Sequence, residues 1–195
     1  KSGTSVTVTV TIPTGKSFKK WVYEGVTIPA ADVMKQEITF TMPEKDVVLT
    51  ALFDDIIYNI TVTNGTSNAP TAKYQDEVTV TANAPATGKE FDKWVVTGIT
   101  LSNEDLAKST VTFEMPASNV TMEATYKDVI YNITVTDGTS SAPTAKYGES
   151  VTVTAEDKEG KVFKGWKDES GEVVSTEKSY KFTVSAEKTL TAVYE

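Results

Sequence analysis

The residues that could do chemistry in this 195-residue chain are acids, tyrosines and tryptophans, because it contains neither histidine nor cysteine. That removes the commonest general base and the commonest zinc ligand together. Two acid pairs stand out, Glu104-Asp105 and Asp168-Glu169. Paired carboxylates do acid–base work only in a cleft that perturbs a pKa. Both pairs lie in polar, loop-like stretches, so they read as solvated surface. Asp54-Asp55 and Lys127-Asp128 raise the question of calcium, which needs six to eight oxygens and several converging carboxylates. With one or two acids at each place and no EF-hand-like spacing, these also read as solvated charge. No metal or other cofactor is expected. A lysine-to-Asn or lysine-to-Asp isopeptide crosslink would need a buried lysine, and no apolar row of the sequence carries one.

Among the aromatics, Trp21, Trp94 and Trp166 could offer flat faces to sugar rings. Each follows a phenylalanine by three residues, and each reads instead as a central core residue with a large area to bury. Tyr74 and Tyr147 precede strands in polar loops, where the first copy has Ser2. They are the candidates for ligand contact, with turn packing as the competing role. No catalytic, cofactor or metal residue is assigned, and the chain is expected not to be an enzyme.

The elements that must position these residues are repeated. Tyr58 opens YNITVTNGTSNAPTAKYQDEVTVTA, and Tyr131 opens YNITVTDGTSSAPTAKYGESVTVTA. The stretches differ only at Asn64/Asp137, Asn68/Ser141, Gln75/Gly148, Asp76/Glu149 and Glu77/Ser150. A third, degraded copy precedes them. Copies this long form small domains of their own rather than turns of a solenoid. The expected modules are 1–55, 56–128 and 129–195. Lys1 aligns with Lys73 and Lys146, inside a repeat, so the first module lacks its opening strand and the chain is expected to be a segment of a longer protein.

Valine and threonine alternate at 6–10, 78–81 and 151–154. Period-two alternation of β-branched residues marks half-buried strands. In the second copy the inner rows are Tyr58, Ile60 and Val62, then Val78, Val80 and Ala82, then Val111, Phe113 and Met115, and last Val120, Met122, Ala124 and Tyr126. Phe91 and Trp94 cannot share a face of a regular strand, so either Phe91 precedes the strand or a bulge intervenes. Residues 102–108 allow one helical turn capped by Ser102 or Asn103. The third copy has a tight hairpin there. The joints at 53–58 and 126–131 contain no Gly, Pro or Ser and are not flexible linkers. A fairly stiff, elongated rod is expected, with limited bending at Asp54-Asp55 and Lys127-Asp128.

The formal charge of −8 and the pI near 4.7 argue against nucleic acid or an anionic membrane as partner, because those demand a clustered basic face. No apolar run approaches the ~20 residues that span a bilayer. Absence of cysteine fits a cytosolic protein or a bacterial surface protein that avoids disulfides.

Gly-Lys-x-Phe-x-x-Trp occurs at 15–21, 88–94 and 160–166, and Phe-x-Met-Pro followed by a strand ending in Ala-x-aromatic occurs at 40–53 and 113–126. In this the chain resembles the divergent internalin B-type repeat, also called the Listeria–Bacteroides or bacterial surface repeat, over its whole length. The third copy departs in having Val184-Ser185 for Met-Pro. The resemblance implies an all-β module, β-grasp-like or a small open sheet or sandwich, in long secreted or wall-attached bacterial proteins. It implies no shared catalytic residues and no binding site transferable residue by residue. The function it implies is a non-catalytic extracellular segment, a stalk, spacer or adhesive module, monomeric within a larger chain, with a host surface protein or a glycan as partner. The alternative is a carbohydrate-binding accessory module of a secreted carbohydrate-active enzyme.

Overall fold

The computed structural model describes residues 1–195. The first repeat contributes β1 (Ser5–Thr9), β2 (Lys16–Glu24), β3 (Glu37–Thr41) and β4 (Val48–Asp55). The second contributes β5 (Ile57–Thr63), β6 (Gly65–Ser67), β7 (Thr71–Lys73), β8 (Glu77–Ala82), β9 (Lys89–Thr97), a helical turn α1 (Asn103–Leu106), β10 (Thr110–Glu114) and β11 (Val120–Asp128). The third contributes β12 (Ile130–Thr136), β13 (Gly138–Ser140), β14 (Thr144–Lys146), β15 (Ser150–Ala155), β16 (Phe163–Lys167), β17 (Val173–Ser175), β18 (Ser179–Thr183) and β19 (Lys188–Tyr194). The fold is all-β, made of open sheets. No helix is long and apolar enough to cross a membrane. The chain divides into two compact units, Lys1–Ala82 with Trp94–Ala124, and Asn83–Lys93 with Thr125–Glu195.

In the first unit β8 lies between β6 and β10 and pairs antiparallel with both. The alternating sequence sorts by face. Val78, Val80, Val111 and Phe113 are buried, while on the outer face the hydroxyls of Thr79 and Thr112 meet at 2.8 Å. β5 pairs parallel with β11, setting Ile60 beside Val120 and Val62 beside Met122. β7 pairs antiparallel with β5. The first repeat has two two-stranded sheets, β1 with β3 and β2 with β4. Its core is Trp21, Ile28 and Ile38. A fully buried side chain of this size contributes roughly 1.5–3 kcal/mol, so these rows dominate the stability of each small module.

In the second unit the sheet order is β14-β12-β19-β16-β17, with a second sheet β13-β15-β18. The parallel pair recurs as β12 with β19. Val153, Ala155, Trp166, Leu190 and Ala192 form one buried cluster, and Ile133, Ala145, Val151 and Val184 another.

The phenylalanine–tryptophan spacing is resolved by a bulge. Register shifts between Phe18 and Lys20 in β2, and between Phe163 and Gly165 in β16. The extra residue turns both rings to one face, with centroids 5.5 Å apart for Phe18 and Trp21 and 5.9 Å apart for Phe163 and Trp166. α1 is the single turn expected. The Ser102 hydroxyl accepts the Asp105 N–H at 3.0 Å, satisfying one donor of the first turn. The third repeat replaces this segment with a hairpin turn in which the Asp168 N–H bonds the Glu172 carbonyl at 3.0 Å.

Candidate functional site at the joints

Each joint is built by cross-strand register. β4 ends at Asp55, a single residue, Ile56, follows, and β5 begins at Ile57. Lys16 stands directly opposite Asp55 across the β2–β4 ladder. Lys73 stands opposite Ile57 across the β5–β7 ladder. The three charged side chains therefore converge although they are scattered in sequence. One carboxylate oxygen of Asp55 bonds the Lys16 ammonium; the other meets Lys73 Nζ at 2.9 Å. Hydrogen bonds from Lys16 and then Lys73 hold the Asp55 carboxyl down at about 2, against a smaller opposing effect of burial. Lys73 is raised in turn, chiefly by its hydrogen bond to Asp55. A main-chain bond runs alongside, from the Ile56 N–H to the Gly15 carbonyl at 2.9 Å.

The second joint repeats the arrangement. Asp128 Oδ2 lies 2.8 Å from Lys146 Nζ, and its other oxygen pairs with Lys89. The Asp128 carboxyl is lowered to about 2 by hydrogen bonds from Lys146 and then Lys89, and Lys146 is raised by Asp128. The Val129 N–H bonds the Gly88 carbonyl at 2.9 Å.

Tyr74 and Tyr147 belong to these joints. Gly15 and Gly88 have φ of +75° and +76°, a conformation that glycine adopts at little cost. A Cβ on Gly15 would fall 2.3 Å from the Cβ of Tyr74, and a Cβ on Gly88 would fall 2.3 Å from that of Tyr147. Each tyrosine thus packs on the glycine of the preceding repeat's Gly-Lys turn, a contact that the reading as ligand candidate or turn packer did not include. Tyr74 remains 36% exposed and Tyr147 46%. Tyr74 borders a groove of about 570 Å³ whose lining includes Pro13, Thr14, Lys16, Gln75 and Asp76. The groove thus sets the partly exposed tyrosine among residues that carry ammonium, amide and carboxylate groups.

The joint acids lie at the surface, as the reading of solvated charge expected, and Asp55 and Asp128 are in addition each bridged by two lysines there. Asp54 pairs with Lys19 at 2.8 Å, and Lys127 with Glu90 at 3.4 Å. The remaining acid pairs are structural. Asp105 is held below the usual carboxylate range by Lys108 and then Ser102, at the cap of α1. Asp168 is lowered first by the Ser170 hydroxyl, in its turn. A carboxyl with a lowered pKa is a poor general acid at neutral pH. The three tryptophans are buried. Trp21 Nε1 donates to the Lys35 carbonyl at 3.0 Å and Trp94 Nε1 to the Lys108 carbonyl at 2.9 Å. Trp166 Nε1 is buried without an acceptor.

Tandem all-β modules, each passing its chain to the next through the same joint, define a β-repeat protein. A family model for the divergent InlB B-repeat domain matches residues 1–57, 58–130 and 131–195. The chain belongs to this family. Repeats of this family are found in bacterial surface proteins. No curated protein matches the chain.

Proposed function

We propose that the chain is a non-catalytic, extracellular segment of a bacterial surface protein and serves there as a stalk or spacer. The carrying observation is the recurrence of one joint: a carboxylate shared by two ammonium groups, beside a tyrosine seated on a left-handed glycine, at Asp55 and again at Asp128. A tether that only needs length is served by Gly- or Ser-rich chain, without a built contact at every junction. An adhesive role is compatible with the same site. Weak contacts to a host protein or a glycan at Tyr74 and Tyr147 would add through effective concentration.

The second reading, a carbohydrate-binding accessory module of a secreted enzyme, draws on the partial exposure of these tyrosines. Protease shaving of intact producer cells, with mass spectrometry of the released peptides and of the parent protein, separates the two. Release of these repeats from a parent that has an anchor and no catalytic domain supports the stalk. A parent in the medium, joined to a glycosidase, would sink it and favour the accessory module.

A further inference from the structure

The differences between the second and third repeats are not spread evenly. Three of the five in the stretches opened by Tyr58 and Tyr131 are consecutive, Gln75-Asp76-Glu77 against Gly148-Glu149-Ser150. They follow Tyr74 and Tyr147 directly, so the copies diverge beside the joint. The turn itself is the same in both. The Gln75 N–H donates to the Met115 carbonyl at 2.8 Å, and the Gly148 N–H to the Val184 carbonyl at 2.8 Å. Both residues are left-handed, with φ of +69° and +82°. Glycine adopts that backbone freely, and the other non-glycines that adopt it, Asn64 and Asp137, are of types that tolerate it. Glutamine has neither advantage. A Cβ on Gly148 would meet nothing within 4 Å, so a side chain at this position gains no packing. Gln75 is exposed, and its carboxamide makes no hydrogen bond within the chain. A residue held in a costly backbone state, with a side chain that does nothing for the fold, points to a contact outside it.

We propose that Gln75 and Tyr74 make the groove at the first joint a binding site for a neutral oligosaccharide. This deepens the adhesive side of the proposed function and relies on it only for the glycan being met outside the cell. The groove's volume of about 570 Å³ lies within the roughly 300–1,000 Å³ usual for small-ligand sites. Its lining includes Lys16 and Lys73 against Asp55 and Asp76, so the formal charges cancel and neither an acidic nor a basic ligand is selected. Apolar surface comes only from Tyr74 and Pro13, too little for the cluster of buried anchors on which a protein partner depends. A carboxamide donates and accepts at once, as two neighbouring sugar hydroxyls do in reverse. The partly exposed tyrosine ring offers the apolar body that a sugar's C–H surface can lie against. At the second joint Tyr147 is present but Gly148 stands in place of the carboxamide, so the chain holds one such site and not two.

The test presents the whole chain, carrying a detection tag, to an array of neutral oligosaccharides, acidic oligosaccharides and short peptides, and then titrates the bound species in solution. Saturable 1:1 binding of a neutral oligosaccharide is expected. Gln75→Gly, which copies the third repeat, should weaken that binding at least tenfold while leaving the unfolding midpoint no lower than the parent's. Loss of binding therefore cannot be put down to loss of the fold. Gly148→Gln, the converse change, should raise the stoichiometry toward two. A silent array, binding confined to acidic oligosaccharides or to peptides, or neutral-glycan binding that Gln75→Gly leaves undiminished would each overturn the proposal. None of these results touches the stalk reading, which rests on the Asp55 and Asp128 bridges and is decided by the shaving experiment.

Discussion

The β-carbon of Tyr74 sits where a β-carbon on Gly15 would have to go, 2.3 Å away. The clash involves the rigid root of the side chain, so it cannot be relieved by rotating the ring. Gly15→Ala therefore carries two costs, a left-handed backbone of roughly 1–2 kcal/mol and overpacking of about 1–3 kcal/mol. Gly160 occupies the same motif position with φ +71° and has nothing within 4 Å of its would-be Cβ. Gly160→Ala should show the backbone cost alone. Urea midpoints of the two variants, compared with Gly88→Ala, measure the difference. Equal losses at positions 15 and 160 would mean the tyrosine contact is dispensable.

The Asp55 bridge has a defined pH window. Its carboxyl is lowered to about 2, so the stabilisation is complete above the ordinary aspartate pKa of about 3.9 and is lost as pH falls toward 2. Lys73 is raised, so its share is complete below the ordinary lysine pKa of about 10.4 and is lost only in more alkaline solution. With no native cysteine, labels at Thr41→Cys and Glu114→Cys report distance across this joint by energy transfer. The distance distribution should be narrow at pH 6 and broaden near pH 2. Asp55→Asn should broaden it already at pH 6. If Asp55→Asn matches the parent at pH 6, the bridge does not set the joint.

The tryptophans should respond unequally to loss of the indole N–H. Trp94→Phe removes a 2.9 Å bond to the Lys108 carbonyl, whereas Trp166→Phe removes a buried donor that has no acceptor. Leaving a buried polar group unmatched costs about 1–3 kcal/mol. Trp94→Phe should thus be more destabilising by ~1–2 kcal/mol, read from the denaturation midpoints of the respective repeats. Equal costs would show that the Lys108 bond contributes nothing.

Met122 and Leu49 are counterparts in the second and first repeats. Met122 is fully buried under β5, and Met122→Ala should cost about 2–5 kcal/mol. Leu49 is half-buried, and Leu49→Ala should cost less than half as much.

Strand rows were legible because the Val–Thr period carries its own physical reason, and residues 58–62, 78–82 and 111–115 fall on the faces it assigns. Ser102 was legible as a cap because its hydroxyl acts within three residues. The phenylalanine–tryptophan spacing posed two alternatives, a phenylalanine before the strand or a bulge, because residues three apart cannot share a face of a regular strand, and the register of β2 against β4 decides for the bulge at Phe18. The joints were not legible. Lys16, Asp55 and Lys73 converge through two ladders whose register is set by pairing, and no local pattern marks a lysine that will find a distant acid. Gly15 read as a turn, and nothing in its neighbourhood announced a tyrosine 59 residues on (74 − 15). The short strands β6 and β7 were hidden by the turn signal at Asn64-Gly65. The parallel pairing of β5 with β11 likewise has no sequence mark, because it joins the first and last strands of a copy.

That parallel pairing fixes how a repeat answers to being pulled. Its first and last strands run side by side in the same direction, so the chain enters at one end of the pair and leaves at the other. Tension on the two ends slides β5 along β11, loading all their hydrogen bonds at once rather than peeling them singly. The same holds for β12 and β19.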